Sequence, residues 1–358
     1  MNYRIIAAII AIFWLTGCTH LGPKTVPRDR FDYNTAIADS WKEQTLLNIV
    51  KLRYSDMPLF VEVASVVSGY TLEGSVNLGG TVSSEAAVQG DFLALGTAGK
   101  YTDRPTITYA PITGAKFNES FMTPIPPKTV LFMLQSGWPV DLIYPIVVDS
   151  INGLRSRQAA GTDQRLGDPE YYYLVSLFRK IQQSGAAGMR IIKETNNKET
   201  TVLFFHRKNI SPDVAEARME INQLLGLDPE KQEVKVTYGL IPQSDNEIAM
   251  LTRSIMQIMV NLATQIDVPF KHVSDGLTVD SFPLPVGDEV KIKQLIRVKS
   301  GPDKPDNAFT TVKYEDNWFW IDKRDFQSKR TFAFLMILFS LTETGGKEDL
   351  PLVTIPAG

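Results

Sequence analysis

The chain has 358 residues, of which 44% are hydrophobic and 22% charged, and a formal net charge of −3. Those figures fit a folded protein of one large or two ordinary domains and exclude a disordered or low-complexity chain. The mildly acidic balance gives no general attraction to nucleic acid, and a single cysteine excludes internal disulfides and cysteine-built metal centres.

Arg4 precedes an apolar run from Ile5 to Leu15, which closes in Leu15-Thr16-Gly17-Cys18. The run is about half the ~20 residues a membrane-spanning helix needs. Pro23 and Pro27 follow it. One positive charge, a short apolar core and small residues at a cut form a secretory signal. With Cys18 at its end, the segment resembles the lipobox of bacterial lipoproteins, over residues 1–18 alone. The resemblance implies cleavage before Cys18, a diacylglyceryl thioether on its sulfur, an acylated amine, and attachment to a lipid bilayer through these chains. In that family an aspartate after the cysteine tends to retain the protein in the inner membrane. Here the position is Thr19, which favours the outer membrane.

The polar stretch Thr19–Arg30 reads as a tether. Ile37, Trp41, Leu46, Leu47, Val50 and Tyr54 fall at helical spacing, which predicts an amphipathic helix over 33–54, capped by Asp32 or Asn34. Residues 59–109 differ in composition. A β-rich run from Leu59 to Tyr70 leads into a Gly/Ser/Ala/Thr-rich stretch with seven glycines between Gly69 and Gly99. Tyr70, Leu72, Val76 and Leu78 alternate with polar residues, so two long strands joined near Gly80–Ala86 are expected, then a third strand at Thr106–Ala110.

Helices are expected from Pro127 to Gly137 and from Asp141 to Leu154, the second with Pro145 as a kink or a split and Asn152-Gly153 as its end. Arg155–Gly167 reads as a loop, and Asp168-Pro169 launches a helix through Gln183. Met189–Glu194 and Thr200–His206 flank Asn196-Asn197 as a hairpin. A helix follows at 212–225, a strand at 233–238, and the longest helix at 245–266, from Ile248, Leu251, Ile255, Ile258, Met259 and Leu262. A strand at 290–299, a hairpin of 309–314 with 318–321 across Glu315-Asp316-Asn317, and a buried apolar helix at 331–341 complete the chain.

Helices and strands mix without regular βα alternation. The expected fold class is therefore α+β: antiparallel hairpins with packed helices, plus a long Gly/Ser/Ala-rich β-hairpin near the N-terminus. The expected segments are a signal peptide (1–17), a tether (18–30), a helix-plus-hairpin region (31–115) and an α+β globular region (116–358).

The residues that carry catalytic chemistry do not fall into motifs. His20, His206 and His272 match no metal spacing. No phosphate loop, dinucleotide fingerprint or nucleophile elbow is present. Asp141 with Asp149, Asp163 with Asp168 about Arg165, and Glu315, Asp316, Asp322 and Asp325 around Trp318 and Trp320 are the carboxylate groupings a glycosidase would need. Core packing and solvated charge account for them more simply. Trp138, Trp318 and Trp320 could form a partner-binding face. Arg104, Lys116, Lys128, Arg155 and Arg157 are charged residues beside turns.

The expectation is a membrane-anchored envelope lipoprotein, lipidated at Cys18, with a non-enzymatic binding, assembly or transport-accessory role, an envelope protein partner, and no catalytic residues, cofactor or metal. The alternative is an oligomeric outer-membrane pore built from the 69–101 hairpin. A lone hairpin cannot cross lipid with open edges, so copies of the chain would have to close a ring. Lipoproteins of the curli-secretion channel family build pores in this way. The similarity is one of plan, anchor plus small-residue hairpin, without matching residues. An anchored glycan hydrolase is the least favoured class.

Overall fold

A computed structural model of the chain describes residues 21–67, 70–81, 92–103, 106–159, 165–193, 199–205, 211–280 and 294–342. Cys18, His20, Arg104, Asp163, Asn196, Asn197 and His206 lie outside them. Among the described residues one compact unit, the body, holds 21–58 and 118–342, and a second holds 59–117. The architecture is α+β, as the mixed order of elements leads one to expect.

The body opens with helix α1 (Leu21–Arg53). It starts about twelve residues before the position expected, so most of the stretch read as a tether is helical. Pro23 lies in the first turn, where its missing N–H is not needed. Leu46, Ile49 and Val50 of α1 are fully buried, and α1 belongs with the body rather than with the hairpin that follows it.

A six-stranded mixed sheet forms the centre of the body, from β5 (Val148–Ile151), β6 (Leu154–Arg155), β7 (Ala187–Lys193), β8 (Glu199–Phe205), β9 (Glu233–Tyr238) and β10 (Glu247–Thr252). Its order is β6-β5-β10-β9-β8-β7, with only β9 and β10 parallel. Helices α3 (Pro127–Gln135), α4 (Val140–Val147), α5 (Pro169–Ser184) and α6 (Pro212–Leu225) belong to the same unit. Pro127, Pro169 and Pro212 each open a helix, and Gly185 and Gly226 close two in the left-handed conformation. A three-stranded sheet, β11 (Lys299–Gly301), β12 (Ala308–Tyr314) and β13 (Asn317–Asp322), has β13 at its centre. Helix α8 (Phe270–Ser274) is a short turn, and helix α9 (Phe326–Thr342) buries Phe332, Phe334, Leu335 and Leu338, but Phe326 and Leu341 are exposed.

Two expected helices are corrected. The helix placed at 141–154 ends at Val147, and the chain continues as β5 and β6 around Asn152-Gly153. Both turn residues have positive φ, 46° and 86°, so the dipeptide is a tight hairpin turn and not a helix end. The helix placed at 245–266 is strand β10 followed by α7 (Ile255–Ala263). Ile248, Ala249 and Met250 are all buried because β10 lies inside the sheet, and a short apolar run of that kind fits either period. Ser254 starts α7 with a capping box: its Oγ accepts from Gln257 N at 3.2 Å, and Gln257 Oε1 accepts from Ser254 N at 2.9 Å. Of the strand expected at 290–299, the described part is extended only from Lys299.

Gly167 has φ +88°, and an added Cβ would sit 2.6 Å from Arg157 N. Backbone strain and a clash with rigid backbone combine there. Gly167→Ala is expected to cost about 1–3 kcal/mol, read as a lowered urea midpoint.

The second unit contains β1 (Val61–Val67), β2 (Tyr70–Thr81), β3 (Phe92–Asp103), β4 (Thr106–Pro111) and a single turn, α2 (Gly114–Phe117). Its base is tied by a ring contact between Phe60 and Phe117, a 2.8 Å ion pair from Lys116 to Glu62, and donation from Ile112 N to Phe60 O.

Candidate functional site: an amphipathic ribbon

The β-rich region expected over 59–110 holds four strands in two ladders. β1 pairs with β4 and β2 with β3, both antiparallel. Val67 faces Thr106 and Tyr70 faces Asp103, so both arms advance by three residues from one ladder to the other and the two ladders are in phase. The ribbon formed by these two ladders has one bulge in its described residues, between Val63 and Ser65.

Because the two ladders are in phase, the alternation of positions can be followed along each of them. One face carries Tyr70, Leu72, Gly74, Val76, Leu78 and Gly80 of β2. Their partners on β3 are Asp103, Tyr101, Gly99, Thr97, Leu95 and Leu93. Toward the base the same face continues through Val66 and Val63, opposite Ile107 and Tyr109. Val63, Ile107 and Tyr109 are exposed, Tyr109 by 54%. The opposite face carries Thr71, Glu73, Ser75, Asn77 and Thr81, paired with Thr102, Lys100, Ala98, Gly96 and Phe92. Glu73 and Lys100 form a 3.6 Å ion pair across it. One face thus carries most of the apolar residues, with Asp103 and Thr97 among them, and the other is mostly polar or small, with Phe92 at its far end. Among the described residues each arm pairs only with the other, so both outer edges are open.

The body distributes its titratable residues differently. Arg253, 2% exposed, donates from Nη2 to Asp149 Oδ1 (3.0 Å), Ser156 Oγ (2.6 Å) and Arg157 O (3.0 Å). Its Nη1 reaches the carbonyls of Pro145, Ile146 and Val148. These are the orphan acceptors at the end of α4. Burial lowers the guanidinium pKa, and Asp149 opposes that shift. Arg165 also donates to Asp149, at 2.7 Å. Tyr171 Oη donates to the carbonyls of Tyr144 and Val148, and burial raises its pKa well above the ordinary value. Asn152, in the β5–β6 turn, reaches β10 by accepting from Ala249 N at 2.7 Å and the end of α6 by donating to Leu225 O at 2.8 Å.

Among the described residues the carboxylates of these groupings have other partners. Asp141 faces Arg179 at 3.4 Å while Asp149 serves the arginines. Asp168 accepts from Arg155 N. Glu315 and Asp316 form the β12–β13 turn with positive φ, Asp322 holds Lys299 at 2.9 Å, and Asp325 accepts from Ser328 at the start of α9. Trp138 packs on Phe334 at 5.3 Å. Trp318 and Trp320 are half-buried on one side of β13, with Lys304 over the Trp318 ring. The buried His272 lies between Tyr54 Oη (2.6 Å) and Asn317 Nδ2 (3.0 Å), joining the turn after α1 to β13. A cavity of about 90 Å³ lined by Leu131, Tyr144, Phe178, Gly188, Met189 and Leu203 is well below the ~300 Å³ where small-molecule sites begin. No described helix is long and apolar enough to cross a membrane.

Burial pushes the Tyr54 phenol up to about 12, and burial together with Asp56 does the same for Tyr314. Unfolded tyrosines ionise near pH ~10. The stabilisation held by these neutral phenols is therefore complete below that pH and disappears as pH rises through about 12. Alkaline titration should show tyrosinate absorbance rising together with loss of the body's circular dichroism, beginning above the free-tyrosine pKa.

No protein-family model, curated protein or solved structure matches the chain. Its function has to be read from its own residues.

Proposed function

We propose that the chain is a lipid-anchored protein of a bacterial cell envelope, held by an acylated Cys18 at the outer membrane, with a non-enzymatic binding and assembly role. The lipobox at Leu15–Cys18 supports the anchor. Several acyl chains, at about 0.8 kcal/mol per buried methylene, give lasting attachment. The observation that carries the assembly role is the ribbon with two open edges. A two-stranded ribbon is marginal in water on its own, and open edges invite another strand. A protein partner in the envelope completes it. The half-buried Trp318 and Trp320 offer the body a second contact surface.

The anchor is tested apart from the ribbon by deleting Tyr70–Asp103, which leaves a four-residue connection between the paired Val67 and Thr106. The shortened chain should sediment with membranes, and its Cys18→Ser form should not. Mass spectrometry should find the thioether on Cys18. An unmodified N-terminus, or sedimentation indifferent to Cys18→Ser, would sink the proposal.

A further inference from the structure

We infer that the partner completing the ribbon is a further copy of this chain, and that copies close edge to edge into a membrane-spanning β-barrel with Tyr70–Thr81 and Phe92–Asp103 as its strands. The inference names the partner in the assembly role proposed above. It does not depend on Cys18 chemistry.

Three features converge on a bilayer rather than a soluble partner. The first is length. β2 and β3 have 12 residues each. At ~3.3 Å per residue a strand of that size is ~40 Å long, and a tilt of ~40° brings it to ~30 Å, the thickness of the hydrocarbon core. The second is segregation. The apolar face meets lipid, with Tyr70 and Tyr101 near one end as an interfacial girdle beside Asp103. The other face, with Glu73, Lys100, Ser75, Asn77 and several glycines and alanines, suits a wet lumen. The third is the edges. The outer edge of β3 in one copy meets the outer edge of β2 in the next, and the two strands run antiparallel. This head-to-tail contact repeats around a ring, and closure removes every open edge. Membrane barrels begin at about eight strands, so at least about four copies are needed.

The acylated full chain provides the test, because lipidation consumes its one native thiol. Single cysteines are placed at Leu72→Cys, Glu73→Cys, Ser75→Cys, Val76→Cys, Asn77→Cys and Leu78→Cys. The proteins are reconstituted in vesicles of phosphatidylethanolamine and phosphatidylglycerol loaded with a small dye. A charged, membrane-impermeant maleimide should modify the cysteines at 73, 75 and 77, and labelling should be lost at 72, 76 and 78. Dye should be released, and the detergent-extracted protein should have the mass of a ring. The chain lacking Tyr70–Asp103 should bind vesicles but release no dye and stay monomeric. Equal labelling at all six positions with dye retained, a monomer in the vesicles, or growth into fibres would overturn the barrel. If the chain is held on vesicles by its lipid while the ribbon labels throughout, the barrel fails and the anchor stands. If the alternating pattern appears with an unacylated Cys18→Ser chain while native Cys18 proves unmodified, the anchor fails and the barrel stands.

Discussion

Arg253→Leu is expected to lower the unfolding free energy of the body by about 3–5 kcal/mol, the usual cost of breaking one side of a buried ion pair. Arg253 is the largest fully buried side chain among the described residues, and it replaces water for Asp149, the Arg157 carbonyl and the acceptors at the end of α4. Leucine fills part of the space but donates to none of them. The carbonyls are then left dry and unpaired, and Asp149 keeps only Arg165. Every tryptophan after Trp14 lies in the body, so tryptophan fluorescence in urea reports this unfolding. The midpoint should fall with little change in slope. Arg253→Leu combined with Asp149→Leu should lose less than the sum of the two single changes, because each removes what the other leaves stranded. Strict additivity would show that the pair does not couple. A near-neutral Arg253→Leu would show that the carbonyls find other donors.

None of this network was visible in the sequence, where Arg253 is one cation among 37. Its partners lie about a hundred residues upstream, and only the sheet order that sets β5 beside β10 brings them together. Local signals fared better. The prolines opening three helices, the Glu315-Asp316 turn and the alternation of Tyr70 to Leu78 act over a few residues and are legible as such. Expectation failed where one local pattern serves two structures. Ile248–Leu251 fits either period, and Asn152-Gly153 suits a helix end as well as a hairpin. The Ser254–Gln257 capping box was the missed cue that a helix begins there rather than ten residues earlier. For the ribbon, composition indicates strands, but the identity of its two faces comes from the pairing of β2 with β3 and of β1 with β4.

The register also makes adjacent positions behave oppositely. Val76 lies near the middle of β2 on the apolar face and Asn77 on the polar one, opposite Thr97 and Gly96 respectively. In a barrel, Val76→Lys places a charge near the bilayer midplane, at a cost of about 2–4 kcal/mol per copy. A ring repeats that cost in every subunit, so four copies would lose roughly 8–16 kcal/mol, enough to abolish insertion. Asn77→Lys puts the same charge in lumenal water. Insertion should survive, and the added ring of cations should shift the reversal potential across a planar bilayer toward anion preference. For a ribbon that stays in water the two lysines would be equivalent, each changing stability by no more than about 0.5 kcal/mol. Comparing dye release and reversal potential for this neighbouring pair therefore reads the orientation of β2 directly. Equal behaviour of Val76→Lys and Asn77→Lys would place both faces of the ribbon in solvent and remove the bilayer from its role.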